Sequence, residues 1–183
     1  MFAVADAIPP GLRKQVICKS ARWRQDPAEI HGVDDNLVRL DESVRSTRVL
    51  EPTAEVVDEL MAALQRYVPE LEDHFNTEVE RLERCQVLRY TTGDRFRKHT
   101  DGRAEQDGSG PSLRKVSLVA MLSESDTYEG GAFVIFPDSL ELHGRGFGLS
   151  LPAGSLIAFR SDLPHEVTPV TAGERHSVVS WAR

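Results

Sequence analysis

Apolar residues recur every three or four positions in the segment after Pro52, which is the spacing of one face of an α-helix. Thr53 precedes them as a helix cap, and Glu55 places a negative charge in the first turn, where the helix dipole favours it. Pro69 suits the first position of a second helix. The apolar positions are Val56, Val57, Leu60, Met61, Leu64, Tyr67 and Val68, followed by Leu71, Phe75, Val79 and Leu82. We predict that both helices support the core and do not bind a cofactor.

From Cys85 onward the pattern changes to short apolar and β-branched runs. Most separators are turn sequences such as Gly-Gly, Pro-Asp, Pro-Ala-Gly and Thr-Ala-Gly. The predicted strands cover residues 86–90, 113–123, 131–136, 140–143, 147–151, 155–160, 165–170 and 174–181, with a further strand that carries His99. Many short strands at close spacing favour a mainly β fold, either a sandwich or a jelly-roll barrel.

The N-terminal region shows no clear period over residues 12–51. Residues 8–11 contain two prolines and a glycine, which predicts an interruption of any helix there. Residues 44–50 are compatible with a strand that ends before Pro52. The length of 183 residues suits one domain. We therefore expect a single domain over 1–183, with helix-rich support in 1–83 and the β core and site in 84–183.

Composition excludes several classes of partner. The net charge is −7, which argues against nucleic acid, although the basic segment 95–98 offers a local contact for an acidic partner. Cys18 and Cys85 are too few for a disulfide framework, which favours a reducing compartment. No apolar run is long enough for a membrane span, and the first residues lack the basic region of a secretory signal. We expect a cytoplasmic protein without a membrane partner.

The candidate chemistry lies in three separated motifs. His99 and Asp101 are two residues apart, so in an extended segment their side chains project from the same side. His165 supplies a second imidazole, and two histidines with one carboxylate form the facial triad of non-haem Fe(II) sites. Either histidine alone would more often be an ordinary turn or core residue. Arg175, ten residues after His165, adds a cation at the start of another strand.

Other candidates have simpler interpretations. His176 alternates to the face opposite Arg175, which predicts a structural or exposed residue. Gly130 and Gly131 indicate a turn between strands, because no helix start follows that would form a phosphate site. The histidines without ligand-like spacing, which we expect on the surface, are His31, His74 and His143.

Taken together, the motifs resemble the prolyl 4-hydroxylase-like branch of the Fe(II)/2-oxoglutarate dioxygenases. The similarity extends over about residues 82–183 and is strongest to bacterial PKHD-type hydroxylases and to the oxygen-sensing prolyl hydroxylases. It rests on the order Tyr90, His99-x-Asp101, Glu129-Gly-Gly131, Pro164-His165-Glu-Val-Thr-Pro-Val170, Gly173-x-Arg175 and Trp181. The resemblance implies a double-stranded β-helix backed by helices.

The resemblance also implies roles for individual residues. His99, Asp101 and His165 would hold the iron, and Arg175 would pair with the distal carboxylate of 2-oxoglutarate, which suits its planar, bidentate guanidinium. Tyr90 would reach into the cosubstrate pocket. Ser177 and Trp181 share the face of Arg175, where Ser177 adds a hydroxyl and Trp181 packs. Met121 departs from the tyrosine that the oxygen-sensing enzymes carry at this place, and Arg160 and Lys115 are alternative cations.

The implied cofactors are Fe(II), 2-oxoglutarate as cosubstrate and O2, with ascorbate as an optional addition. The implied reaction hydroxylates an unactivated C–H bond and releases succinate and carbon dioxide. A carboxylate at Asp101 favours hydroxylation, because related halogenases carry glycine or alanine there. The substrate stays open between a prolyl residue in a protein or peptide and a free amino acid or other small metabolite. A non-catalytic metal-binding sensor is a further alternative. We expect the loop 102–112 to close over the substrate.

Overall fold

The computed structural model describes residues 1–31, 38–102, 114–137 and 144–183, in which two antiparallel sheets dominate. The strands in chain order are β1 (Phe2–Val4), β2 (Gln25–Pro27), β3 (Ile30–His31), β4 (Val38–Arg39), β5 (Arg48–Leu50), β6 (Gln86–Tyr90), β7 (Phe96–His99), β8 (Val116–Met121), β9 (Tyr128–Gly130), β10 (Phe133–Ile135), β11 (Phe147–Leu149), β12 (Leu156–Arg160), β13 (His165–Val167), β14 (Val170–Gly173) and β15 (Arg175–Ala182). The helices are α1 (Pro10–Ser20), α2 (Ala54–Gln65) and α3 (Val68–Phe75).

The larger sheet, here called the major sheet, has the strand order β1-β12-β8-β15-β6-β5-β2. The minor sheet has the order β11-β10-β13-β7, and two two-stranded ribbons pair β14 with β9 and β3 with β4. Three strands from the first 50 residues, β1, β2 and β5, therefore extend the major sheet on both sides of its centre.

Side-chain alternation along the central strands separates two cores. In β8, Leu118 and Ala120 belong to the core between the major sheet and the helices, whereas Val119 belongs to the core between the two sheets. Because successive side chains of a strand alternate between faces, Ser117 and Met121 share the face of Val119. The major sheet is thus buried on both sides, and its inner face points at the minor sheet.

Helix α2 follows its prediction, whereas α3 is shorter than predicted. Thr53 occupies the N-cap position of α2, although its side chain makes no capping hydrogen bond. Helix α3 ends at Phe75 because Asn76 adopts the left-handed conformation with a φ of 47°. Val79 and Leu82 still pack on the helix-side core, but they do so from an extended segment, in which the Val79 N–H donates to the Glu72 carboxylate at 2.9 Å.

The prediction of a helix interruption over 8–11 was wrong. Helix α1 begins at Pro10, since a proline in the first turn has no N–H to lose and a φ already suited to the helix. Leu12 and Val16 then bury into the helix-side core.

Several strand boundaries also differ from the pattern. The strand predicted over 44–50 is confined to β5, and the segment 165–170 divides into β13 and β14 around Thr168 and Pro169. The predicted strand 140–143 and His143 lie outside the described residues. No helix among the described residues has the length and apolarity needed to cross a lipid bilayer.

His176 is a structural residue of β15. It is 1% exposed, and its Nδ1 lies 3.4 Å from the Ser123 hydroxyl. His74, by contrast, is exposed as predicted. Burial in the protein lowers the pKa of His176 from 6.5 to about 4.

We predict that this buried histidine makes folding stability depend on pH. The unfolded chain takes up a proton as pH falls through 6.5, whereas folded His176 stays neutral to about 4, so stability is lost as pH falls through this window. This effect of His176 lowers the free energy of unfolding by about 2–3 kcal/mol as the pH falls from roughly 7 to 4.5. Urea unfolding at both pH values measures this change, and the free energy of unfolding should differ less between the two pH values in His176→Asn than in wild type. Equal differences would contradict the prediction.

Candidate active site

Two facing strands of the minor sheet bring the predicted histidines together. His99 ends β7 and His165 begins β13, and the two residues are direct partners in the antiparallel ladder. Asp101 lies in a bend just beyond β7, so the predicted strand does not extend to it. Its two carboxylate oxygens nevertheless lie 3.6 Å from His99 Nε2 and 3.5 Å from His165 Nε2. Ligand atoms of all three residues lie within 4.8 Å of one another.

Backbone carbonyls orient both imidazoles. His99 Nδ1 lies 2.8 Å from the Arg97 carbonyl, and His165 Nδ1 lies 2.9 Å from the Leu163 carbonyl. A carbonyl oxygen can only accept, so each Nδ1 donates its hydrogen to that carbonyl, and each Nε2 faces the carboxylate. Burial, reinforced by the nearby His99, lowers the pKa of His165 to about 4, which keeps this ring neutral. Two Nε2 atoms and a carboxylate that converge in this way fit a bound metal cation.

Contacts with the major sheet hold the carboxylate in place. The Ser117 hydroxyl donates to Asp101 at 2.7 Å and also lies 2.9 Å from the Ser161 hydroxyl. The backbone N–H groups of Asp101 and Gly102 both donate to the Ser161 carbonyl. Burial alone would raise the pKa of Asp101, but its contacts with the histidines and Ser117 hold that pKa below the usual carboxyl range.

Three aromatic rings enclose the histidines. Phe96 stacks on His99 with 3.4 Å between ring centroids. Phe159 meets His165 edge-on at 4.8 Å, and Phe133 lies 5.5 Å from the same imidazole. Sequence reasoning did not single out these rings or the two serines. The inward alternation of Phe159 in its strand is a signal for that residue, whereas nothing local distinguishes Ser117.

Arg175 lies on the inner face of the major sheet, where it is 1% exposed. It donates to the Ser177 hydroxyl and to the Met121 sulfur, both at 3.2 Å, and its Cζ lies 5.2 Å from the ring centroid of Tyr90. Its Nε has no hydrogen-bond partner. Among the described residues no carboxylate forms an ion pair with Arg175, so this buried cation lacks a counter-charge.

Gly131 makes room for the Arg175 side chain. A Cβ added at this glycine would lie 2.9 Å from Arg175 Cδ, and the φ of 57° is itself in the left-handed region that favours glycine. Gly130, with a φ of 70°, is the last residue of β9, and Gly131 follows it before β10 begins at Phe133, so the predicted position between strands is confirmed.

The two alternative cations lie elsewhere. Arg160 is exposed and pairs with Asp162 at 2.7 Å, and Lys115 donates to the Glu78 carbonyl at 2.8 Å. Neither residue lines the cavity that contains the His–Asp–His group.

One cavity of about 1590 Å³ contains the His–Asp–His group together with Tyr90, Arg175 and Ser177. Its wall continues to Trp181, which packs against the guanidinium of Arg114 at 3.8 Å. The predicted closing loop 102–112 lies outside the described residues from position 103 onward. The described wall therefore places in one cavity a candidate metal site and a cation that has no acidic partner among the described residues.

Comparison with known proteins points to the same part of the chain. Residues 85–183 match the family model described as the 2OG-Fe(II) oxygenase superfamily. A PKHD-type hydroxylase of Shewanella oneidensis is 39% identical over 93 residues, which are 51% of this chain and 39% of that protein. The chain thus spans about two fifths of the length of this relative.

Solved structures resemble the chain over nearly its whole length. A prolyl-4-hydroxylase of Pseudomonas putida superposes with a TM-score of 0.73 at 25% identity, covering 100% of this chain and 91% of that one. A prolyl hydroxylase of Trichoplax adhaerens was solved with a peptide fragment of the hypoxia inducible factor oxygen degradation domain. It superposes with a TM-score of 0.75 at 16% identity, covering 99% of this chain and 82% of that one. These likenesses confirm the predicted mainly β, double-stranded β-helix fold with supporting helices.

We predict that Ser117 tunes metal affinity through Asp101. Ser117→Ala removes the 2.7 Å hydrogen bond to the carboxylate, and loss of such a supporting contact weakens metal binding by about 10–100-fold. Anaerobic Co(II) titration followed by visible absorption measures this change. The matched control is Ser180→Ala, since Ser180 is an equally buried serine that donates to the Glu83 carbonyl. Equal affinities in the two variants would contradict the role of Ser117.

Proposed function

This chain belongs to the 2OG-Fe(II) oxygenase superfamily, and from that membership we propose that it is an Fe(II)- and 2-oxoglutarate-dependent dioxygenase that hydroxylates an unactivated C–H bond. The observation that carries the proposal is one cavity that holds three converging ligands and a buried guanidinium without an acidic partner among the described residues. The ligands suit Fe(II), and the guanidinium suits a dicarboxylate cosubstrate.

His99, Asp101 and His165 are the proposed metal ligands. Both histidines present Nε2 because their Nδ1 hydrogens are engaged by backbone carbonyls, and this fixes the direction from which each ring binds. Two imidazoles and one carboxylate would hold Fe(II) and would leave further positions for other ligands. The bound iron with 2-oxoglutarate and O2 supplies the oxidising chemistry, with succinate and carbon dioxide as the proposed co-products.

Arg175 is the proposed partner of the distal carboxylate of 2-oxoglutarate. Its partners Ser177 and Met121 are neutral, so an incoming carboxylate would provide the missing counter-charge. Ser177 would add a hydroxyl donor, and Tyr90, the cross-strand partner of Arg175, would form the adjoining wall. Met121 contributes a weakly accepting sulfur, which does not compete strongly with the cosubstrate for the guanidinium.

The proposed substrate is a prolyl residue in a protein or peptide. Support comes from the Pseudomonas putida relative, a prolyl-4-hydroxylase, and from the Trichoplax adhaerens enzyme, which was solved with a peptide. The volume of about 1590 Å³ leaves space for a substrate beside the cosubstrate. We also propose that residues 1–183 act as one domain, because β1, β2 and β5 extend the sheet that carries Arg175. A cytoplasmic location stays a prediction.

Turnover assays test the proposed reaction. The protein is supplied with Fe(II), 2-oxoglutarate and O2, with and without ascorbate, and challenged with proline-containing peptides and free amino acids. We expect substrate-stimulated succinate and carbon dioxide release and a mass increase of one oxygen in the product. His165→Ala should abolish turnover. Metal and 2-oxoglutarate binding without succinate release under any condition would contradict the dioxygenase and favour a sensor.

We predict that Arg175 controls cosubstrate affinity. Arg175→Ala leaves the distal carboxylate unpaired in a buried site, a loss of about 3–5 kcal/mol that corresponds to at least a hundredfold in affinity. Arg175→Lys should recover only part of the lost affinity, because an ammonium has a positive charge but lacks the bidentate geometry. Anaerobic calorimetry with 2-oxoglutarate on the Mn(II)-loaded protein measures both changes.

The matched control for this prediction is Arg160→Ala, which removes an exposed arginine already paired with Asp162. We expect its affinity for 2-oxoglutarate to equal that of wild type. An unchanged affinity for 2-oxoglutarate in Arg175→Ala would refute the assignment of Arg175 to the distal carboxylate. A loss of affinity confined to Arg160→Ala would show that Arg160 binds that carboxylate.

A further inference from the structure

A second buried arginine lines the same cavity near the candidate metal site. Arg45 is 9% exposed and forms an isolated antiparallel bridge with Phe96. Its Cζ lies 4.7 Å from the centroid of the Phe96 ring, and that ring stacks on His99. One aromatic ring thus separates the Arg45 guanidinium from a proposed metal ligand.

The Arg45 guanidinium has few partners for a buried charge. Its Nη1 donates to the Glu29 carbonyl at 2.9 Å, and its Nε has no hydrogen-bond partner. Among the described residues, Nη2 donates no hydrogen bond and no carboxylate lies within ion-pair distance. Burial lowers the pKa of Arg45, and the opposing effects of Tyr90 and Asp101 do not restore it. Burying a charged group costs free energy unless a partner of opposite charge compensates for the lost hydration.

Other arginines of this protein show what the free edge of Arg45 can hold. Arg114 uses Nε and Nη2 to hold the Glu83 carboxylate at 3.0 and 2.7 Å. Arg160 holds Asp162 through the same two nitrogens at 3.1 and 2.7 Å. The Nε/Nη2 edge thus holds carboxylates in these two arginines. In Arg45 the Nε is shielded from solvent, which leaves Nη2 to meet an incoming carboxylate, and neither nitrogen holds a carboxylate among the described residues.

The other arginines of the cavity wall are already neutralised, apart from Arg175. Arg24 pairs with Asp26 at 3.1 Å, and Arg183 shares the Glu83 carboxylate with Arg114. Within the described part of the wall, Arg45 and Arg175 are the buried arginines without an acidic partner. Since the proposed function assigns Arg175 to 2-oxoglutarate, Arg45 is left for a different anion.

We propose that Arg45 binds a carboxylate of the primary substrate, so the substrate class is a carboxylate-bearing molecule whose reacting C–H bond points to the His–Asp–His group. This inference rests on the proposed function and specifies its substrate. Because Nη1 is engaged by the Glu29 carbonyl and Nε is shielded, Nη2 is the donor that would form a charged hydrogen bond with the carboxylate. The carboxylate has two sources, the α-carboxylate of a small acid or an acidic side chain beside the target residue of a peptide.

Matched acids and amides test the proposal by binding alone. The Mn(II)-loaded protein is saturated with 2-oxoglutarate without O2 and titrated calorimetrically with N-acetyl-L-proline and N-acetyl-L-prolinamide. A second pair consists of a blocked Ala-Pro-Asp-Ala peptide and its Asn counterpart. We expect at least one acid to bind about tenfold or more tightly than its amide, consistent with loss of a charged hydrogen bond. The pair that discriminates identifies the source of the carboxylate.

Variants then assign the discrimination to one residue. Arg45→Met keeps an apolar side chain over Phe96 and should bind acid and amide equally, whereas Arg45→Lys should retain part of the preference. The matched control Arg24→Gln removes a paired arginine from the same cavity and should behave as wild type. An unchanged affinity for 2-oxoglutarate in Arg45→Met would show that the cosubstrate site is intact.

Three outcomes would overturn the proposal. One is an absence of acid preference in the wild-type protein, including no binding by any probe. Another is an acid preference that survives in Arg45→Met. The last is a loss of 2-oxoglutarate affinity in a folded Arg45→Met, which would place the cosubstrate on Arg45. Failure of the proposed oxygenase function appears separately, as absent succinate release despite a preserved acid preference in these titrations.

Discussion

The site depends on the hydrogen bonds that attach Asp101 to the major sheet. His99 and His165 are cross-strand partners in the minor sheet, so their proximity follows from strand pairing. Asp101 lies beyond that pairing, and its position follows from the Ser161 carbonyl and the Ser117 hydroxyl. The carboxylate therefore links two sheets, and the geometry of the three ligands depends on how those sheets pack.

Electrostatics explains why the cavity requires ligands. Two buried guanidiniums near the His–Asp–His group, those of Arg45 and Arg175, lack carboxylate partners among the described residues. Buried charges without partners are destabilising. Hydrophobic residues packed on both faces of the major sheet stabilise the fold enough to offset that cost.

Errors in the sequence-based description occur where local rules compete. Two prolines in residues 8–11 predicted an interruption, yet Pro10 starts a helix because its neighbours Leu12 and Val16 find a core to pack on. The apolar positions Val79 and Leu82 continued a helical pattern, yet Asn76 ended the helix and the same side chains reached the core from an extended segment. The apolar pattern identified Val79 and Leu82 but not the extended backbone that places them on the core, and it made no prediction for Leu12 and Val16.

The sequence by itself determined the spacing of His99 and Asp101, the shared strand face of Arg175 and Ser177, and the succession of short strands. Each depends on neighbours within a few residues, for which strand periodicity is a sufficient guide. Tertiary structure decided that Ser117 supports Asp101, that Phe159 encloses His165 and that Arg45 lies beside Phe96. These contacts join residues distant in the chain, and their existence depends on strand order and sheet packing. Local periodicity predicts on which face of its strand a side chain lies. It does not predict which other strand packs against that face, so it cannot predict these contacts.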